Sequence, residues 1–249
     1  MFKRLLPMVC WLMALGCVMP SAVASSISGT VYNDLKGNGV KDSGDSGLAG
    51  WTVDLAGNNF SMMATTDSNG NYSFSGVPSG ISDVWLEGQP GWIQTEPLVP
   101  FYIVNGSASG LNFGMFQAIT VGGLVYNDLN GDGILDGADT GLAGWTVDLY
   151  DGSHTLIAAA VTASDGSYAF ASLGPGSYSI REVLPLKWRL TQPAPGGSYS
   201  FLALSGQNTF NDNFGNTQSP PPAPEPSSLL LLGTGLAGMV GAARRKLIG

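Results

Sequence analysis

The chain has 249 residues, with 18 Asp and Glu against 10 Lys and Arg, two cysteines and a single histidine. All the acids lie between Asp34 and Glu225, where only Lys36, Lys41, Arg181, Lys187 and Arg189 oppose them, so that stretch carries a charge of −13. Such a charge repels a phosphate backbone, which excludes nucleic acid as a partner, and attracts divalent cations. Lys and Glu are scarce, Gly, Ser, Thr, Asn and Asp abound beside β-branched and aromatic residues, and no long helical period appears outside the two ends, so a turn-rich β protein is expected.

At the N-terminus, Lys3 and Arg4 precede an apolar run from Leu5 to Met19, a break at Pro20, and small residues at Ala22 and Ala24. This is the pattern of a signal peptide over residues 1–24, to be removed by signal peptidase after Ala24. The run is short for a membrane span. Ala14-Leu15-Gly16-Cys17 resembles a lipoprotein box, and Cys10 and Cys17 are both in this segment. Cleavage after Ala24 leaves a mature chain without thiols, hence without disulfides, thiolate metal sites or cysteine nucleophiles.

Next comes a module written twice. Val31-Tyr32-Asn33-Asp34-Leu35 returns as Val125 to Leu129, and Gly47-Leu48-Ala49-Gly50-Trp51-Thr52-Val53-Asp54-Leu55 returns residue for residue as Gly141 to Leu149, both at an offset of 94. Gly70, Tyr72 and Phe74 reappear as Gly166, Tyr168 and Phe170, Trp92 and Thr95 as Trp188 and Thr191, and Asn112-Phe113-Gly114 as Asn213-Phe214-Gly215. A period this long, present in two copies, marks tandem domains rather than a solenoid. The expected boundaries are 25–117 and 118–216. In each copy the Trp, Val and Leu of Trp-Thr-Val-Asp-Leu share one face of a strand. The Tyr-x-Phe pair makes another, introduced by Ser68-Asn69-Gly70 or Ser164-Asp165-Gly166. Tyr178 and Ile180 make a third in the second copy. Short strands over about 90 residues predict two small antiparallel β-sandwiches in series.

Between the first strand and the Trp strand lies an acidic loop. In the second copy Asp128, Asn130, Asp132, Asp136 and Asp139 fall on the side-chain positions of an EF-hand loop, Ile134 on its carbonyl position and Gly133 on its glycine. Calcium needs several hard oxygen ligands and a sharp bend, and this spacing offers both. Asp replaces Glu at the last position and no helices flank the loop. The alternative is a surface turn that satisfies its own backbone. In the first copy Asp34, Asn38, Val40, Asp42 and Asp45 keep the corresponding places, but Lys36 stands where Asn130 stands, and an ammonium cannot ligate a cation. A low-affinity site and a metal-free turn are both open there.

With its Val-Tyr-Asn-Asp opening, acidic loop, Gly-Leu-Ala-Gly-Trp-Thr-Val-Asp-Leu strand, Gly-x-Tyr-x-Phe strand and Asn-Phe-Gly ending, each copy resembles the B-type domain of serine-aspartate repeat surface proteins (the SdrD type), related to Cna-B repeats. The resemblance runs from Ser25 to Asn216. It implies a seven-stranded transthyretin-like or Cna-B-like sandwich, calcium in the acidic loops, and a stiff stalk or adhesive spacer rather than a catalyst. Many Cna-B relatives carry a Lys–Asn isopeptide crosslink; no lysine precedes the first strand of either copy, so that feature is not carried over.

Residues 217–226 form a proline-rich linker ending in Pro224-Glu225-Pro226, and residues 227–249 hold an apolar run from Leu229 to Ala243 followed by Arg244-Arg245-Lys246. This tail resembles a PEP-CTERM sorting signal, which implies processing by an exosortase in a Gram-negative bacterium that makes exopolysaccharide. A helix of the run spans ~22 Å at ~1.5 Å per residue, less than a hydrocarbon core of ~30 Å, as suits a transient membrane tether. The basic cluster holds the C-terminus in the cytoplasm. An enzyme is not expected: His154 stands alone in an Asp-Gly-Ser-His turn, and no Gly-x-Ser-x-Gly elbow, zinc spacing or phosphate loop is present. A hydrolase would need a carboxylate pair that sequence does not single out. The main alternative is a carbohydrate-binding module acting on exopolysaccharide, other surface proteins being the remaining partners. Trp85, without an aromatic counterpart in the second copy, is its candidate residue, although a place in the core or between domains is the stronger expectation for it.

Overall fold

Apolar residues at alternate positions set the strands, and glycines set the turns between them. The computed structural model describes residues 25–193 and 197–218. In the first repeat these form β1 (Ser25–Asn33), β2 (Thr52–Gly57), β3 (Phe60–Thr65), β4 (Asn71–Val77), β5 (Ile81–Leu86), β6 (Trp92–Glu96), β7 (Phe101–Asn105) and β8 (Phe113–Gln117). The second repeat gives β9 (Ile119–Asn127), β10 (Thr140–Gly141), β11 (Thr146–Asp151), β12 (Leu156–Val161), β13 (Ser167–Leu173), β14 (Ser177–Glu182), β15 (Trp188–Gln192), β16 (Ser198–Leu202) and β17 (Phe214–Gln218). No helix occurs among the described residues, so none there is long and apolar enough to cross a membrane. The signal peptide over 1–24 and the apolar C-terminal segment lie outside the described residues.

The protein is all-β, built from small sandwiches. In the first repeat the sheets run β4-β1-β8-β6 and β3-β2-β5-β7; in the second they run β10-β9-β17-β15, with β13 also on β9, and β12-β11-β14-β16. Two details depart from expectation. The implied seven strands become four plus four in the first repeat and five plus four in the second, because the Trp92 and Trp188 segments pair as sheet-edge strands and the two-residue β10 joins β9. The pairing is not wholly antiparallel either: β17 lies parallel to β9, Phe214 opposite Val125.

The predicted core residues face inward. Trp51, Val53, Leu55, Tyr72 and Phe74 are buried, as are Trp145, Val147, Leu149, Tyr168 and Phe170. The Asn-Phe-Gly phenylalanines anchor matching aromatic clusters, Phe113 against Tyr72 (6.2 Å) and Tyr102 (5.3 Å), Phe214 against Tyr168 (6.1 Å) and Tyr199 (5.3 Å). Each such ring contributes about 2–3 kcal/mol by leaving water. Tyr72 and Tyr102 donate their hydroxyls to the carbonyls of Leu111 and Asn112, and Tyr168 and Tyr199 to those of Asp212 and Asn213, so none of these four phenols is left unsatisfied.

The glycines of the repeated motif are steric. A Cβ on Gly47 would stand 1.8 Å from the Asn69 carbonyl oxygen, and one on Gly141 equally close to that of Asp165, so the Trp strand can enter only where no side chain separates it from the neighbouring turn.

By contact density the described residues group into two compact units: 25–32, 46–87 and 96–113 in one, and 33–45, 88–95 and 114–218 in the other. The acidic loop of the first repeat thus belongs to the second unit. Within that unit the Ser205 amide donates to the Leu35 carbonyl (2.9 Å) and its hydroxyl to Asn33 Oδ1 (2.6 Å).

Candidate functional site

Both acidic loops leave the end of a repeat's first strand, and both are organised by two aspartates at their roots. Asp128 is fully enclosed; its Oδ1 accepts the Gly131 amide at 2.7 Å and its Oδ2 the Gly133 amide at 2.8 Å. Asp34, equally enclosed, accepts the amides of Asn38 (3.2 Å) and Gly39 (2.8 Å). At the far end Asp139 accepts the amides of Leu129 and Asp136, both at 3.1 Å, while Asp45 accepts those of Leu35 (3.1 Å) and Asp42 (2.8 Å). Gly39 and Gly133 carry the bend at φ 72° and 74°. A Cβ on either would press on the Thr95 or Thr191 carbonyl oxygen, 3.0 and 2.9 Å away, so the loop lies flat against the Trp92 or Trp188 strand.

Between these roots the remaining oxygens turn toward the chain itself. Asn130 Oδ1 accepts the Asp132 amide, Asp132 Oδ1 the Ile134 amide, and Asp136 Oδ1 the Ala138 amide, while Asn130 Nδ2 donates to Asp132 Oδ2. In the first loop Asn38 Oδ1 accepts the Val40 amide. Val40 and Ile134, expected to lend carbonyls, expose most of their side chains, and their amides are held by these turns. Among the described residues no three of His, Cys, Asp and Glu converge closely enough to hold a metal ion. Each carboxylate oxygen retains a second lone pair, so an amide at one lone pair leaves room for a ligand at the other.

The two loops differ where Lys36 replaces Asn130. Lys36 Nζ lies 2.9 Å from Asp42 Oδ2, in the place of a positive charge on that loop. Asp42 is held below the usual carboxylate range, first by its bond from Lys36 and then by that from Asn38, and the Lys36 ammonium is shifted up by the same bond and the attraction of Asp42. In the second loop no ammonium takes that place. Burial opposes ionisation of Asp128, but the Thr191 hydroxyl, near enough to favour the anion though outside hydrogen-bond geometry, and the amides of Gly133, Gly131 and Asp132 outweigh it and hold the carboxyl below its ordinary value.

Sequence reasoning missed two buried polar features. Thr66 and Thr162 each accept the amide of the motif Trp at 2.9 Å and donate to the carbonyl of Leu48 or Leu142 at 2.6 Å, tying the Gly-Leu-Ala-Gly turn to the strand. Carried back four residues from Gly70 and Gly166, the repeat alignment brings the two threonines opposite each other. Glu182 accepts from Asn216 Nδ2 at 2.8 Å inside the second sandwich, and nothing local in the sequence marks that pair. His154 sits in the β11–β12 hairpin turn at φ 61°, its amide bonded to the Asp151 carbonyl, as expected.

Comparison with known proteins joins these observations. The sequence profile of the SdrD B-like domain matches residues 25–99 and 119–209, which hold β1–β6, β9–β16 and both acidic loops. The chain belongs to the SdrD B-like domain family. The PEP-CTERM protein-sorting motif matches residues 222–246. Serine-aspartate repeat-containing protein F of Staphylococcus epidermidis is 29% identical over 172 residues (62% of this chain, 10% of that protein). Colossin-C of Dictyostelium discoideum is 29% identical over 191 residues (65% and 19%), and serine-aspartate repeat-containing protein D of Staphylococcus aureus strain Newman 25% over 209 (75% and 14%). The chain therefore spans between a tenth and a fifth of these relatives. Among solved structures, the minor pilin GBS52 of Streptococcus agalactiae aligns over 80% of this chain and 98% of its own at 12% identity and a TM-score of 0.34. The sorting motif together with the family indicates an exported cell-surface protein.

Proposed function

We propose that this chain is a structural or adhesive protein of the cell surface, carried outside by its signal peptide, processed at Pro224-Glu225-Pro226 by an exosortase-type enzyme, and retained in an extracellular polysaccharide matrix. The observation that carries the reading is the order along the chain: two family sandwiches without cysteines, then a proline-rich spacer, then the sorting motif. Such sandwiches are stalk material. The membrane tether is temporary in this scheme, ending when the tail is cut, and the bacterium is of the Gram-negative type in which such tails are processed.

Calcium is the proposed stabiliser, at the second loop. Asp128, Asn130, Asp132, Asp136 and Asp139 offer hard oxygen donors, with the Ile134 carbonyl between them, and their chemistry fits a divalent cation. Four close carboxylates repel one another, and a bound cation would relieve that repulsion. At the first loop Lys36 supplies a charge of its own, so Asp34, Asn38, Val40, Asp42 and Asp45 form the weaker site or none.

The test is thermal unfolding of the processed chain in about 1 mM calcium and in chelator. With a dissociation constant of about 10 µM the ion adds ~2.7 kcal/mol, and Asp132→Ala with Asp136→Ala removes that increment while keeping the buried root Asp128. Equal melting temperatures in calcium and chelator would leave the loop an ordinary turn. Deleting residues 222–246 should divert the protein from the matrix to the medium or the periplasm; unchanged surface delivery would sink the sorting half.

A further inference from the structure

The outward face of the β3-β2-β5-β7 sheet carries side chains that the fold does not require. Val53, Leu55, Val84 and Leu86 point to the core, so Asp54, Asp83 and Trp85 point away from it. Strand register lines them up: Met63 is opposite Asp54, Asp54 opposite Trp85, and Trp85 opposite Phe101, one row across four strands. The adjoining row is Ser61, Ala56, Asp83 and Ile103. Met63 is 74% exposed, Ile103 68% and Phe101 39%, with Ile81 at 65% beside them. Trp85 is only partly covered. Of the two places expected for Trp85, the core and a contact between domains, the first is thereby corrected: the odd positions of β5 face out, and Trp85 occupies one.

The second repeat shows what the scaffold needs at these positions. The same row there reads Ala159, Asp148, Arg181 and Ser198. Of the four, only the Asp is kept. A sandwich of this family closes without an aromatic platform, so Met63, Trp85 and Phe101 are not there to hold the sheet.

We infer that this face of the first repeat is a binding surface for a neutral polysaccharide chain, stacked on Trp85 and Phe101 and hydrogen-bonded to Asp54 and Asp83. This rests on the reading of the protein as a matrix component and names the contact through which it would be held. Sugar rings present C–H faces that stack on aromatic rings and hydroxyl donors that carboxylates accept. Asp54 decides between a sugar and an apolar protein partner. It is 9% exposed in the middle of the row. An apolar partner would shut off its remaining contact with water without offering a donor, whereas a glycan hydroxyl supplies one. A polyanionic glycan is disfavoured by Asp54 and Asp83 and by the −13 of the surrounding chain. Strands ~4.8 Å apart give four in-register side chains a length of ~14 Å, suited to an extended chain lying across the strands.

The experiment is affinity electrophoresis of the processed full chain in gels containing dextran, hydroxyethylcellulose or alginate. The variant Met63→Ala/Trp85→Arg/Phe101→Ser gives the first repeat the residues of the second, and its thermal melt confirms folding. Retardation by at least one neutral polymer and none by alginate, with the apparent affinity reduced ten-fold or more in the variant and several-fold in Asp54→Asn, supports the surface. No retardation by either neutral polymer, or equal retardation of the variant, overturns it. So does a wild-type dimer in sedimentation that the variant dissolves without any binding of polymer, which would assign the face to self-association. Cell fractionation run alongside separates the two readings: a chain recovered in the matrix but not retarded in any gel refutes the site and leaves the surface role standing.

Discussion

The two repeats share a frame and differ in what is placed on it. Phe113 and Phe214 anchor the same aromatic cluster, and Asp34 and Asp128 cap the same kind of loop. Across the interior, however, Leu86 and Met115 of the first repeat correspond to Glu182 and Asn216 of the second, since Val53 pairs with Leu86 as Val147 pairs with Glu182 and both Asn-Phe-Gly motifs are followed by the other member. The loops differ at Lys36 and Asn130, and the outer faces at Trp85 and Arg181. What the copies hold in common is the hardware of the sandwich; where they diverge, each is free to take a ligand, a proton or neither.

The shared part should give the largest effect, and an equal one. Phe113→Ala and Phe214→Ala each remove a fully buried ring and should cost ~3–5 kcal/mol, read by denaturant unfolding of the full chain. A cost twice as large in one repeat would break the equivalence of the two cores.

The interior difference predicts a pH dependence confined to the second repeat. Burial pushes the Glu182 carboxyl up to about 7 from an ordinary 4.5, only partly offset by the bond from Asn216. Tyr168, which feels the Glu182 charge, donates its hydroxyl to the Asp212 carbonyl, and burial raises its pKa, so it stays neutral through this range. The folded state thus binds a proton more tightly than the unfolded one. Its stabilising contribution is complete below about pH 4.5 and is lost as pH rises toward 7, by up to ~3 kcal/mol. Above that range the loss is complete and the curve is flat. Glu182→Leu with Asn216→Met transfers the first repeat's pair and should flatten this slope and raise stability at pH 8 by ~1–3 kcal/mol. If the slope survives the double substitution, another group titrates.

How much of this was legible beforehand divides along physical lines. Strands with one face in a core announce themselves by period-two patterning, so Trp51 to Leu55 and Tyr72 to Phe74, with their echoes, could be placed at once. The loops were legible in composition but not in direction: spacing gave Asp128 to Asp139 as oxygen donors, while the backbone amides that those oxygens accept depend on φ at Gly131 and Gly133. Cross-sheet pairs are invisible to local pattern, and Glu182 and Asn216 meet from strands 34 residues apart. Trp85 misled because an aromatic residue in a strand suggests burial, whereas its side of β5 is decided by the register with β2.

The smallest expected effect sharpens the loop comparison most. Lys36→Asn copies the second loop into the first and removes an exposed ion pair, which should cost little stability in chelator because solvent screens such pairs. Added calcium should then restore at least that loss, since Asp42 loses its ammonium and regains a place for a cation, while the unaltered first loop should gain little. The readout is the difference between the calcium responses of Lys36→Asn and wild type, both carrying Asp132→Ala and Asp136→Ala so that the second loop is silent. A large drop in melting temperature without calcium would mean that Lys36 holds the loop fold itself; a small drop with no calcium response would mean that the first loop, even with the second loop's residue in place, is a turn and no more.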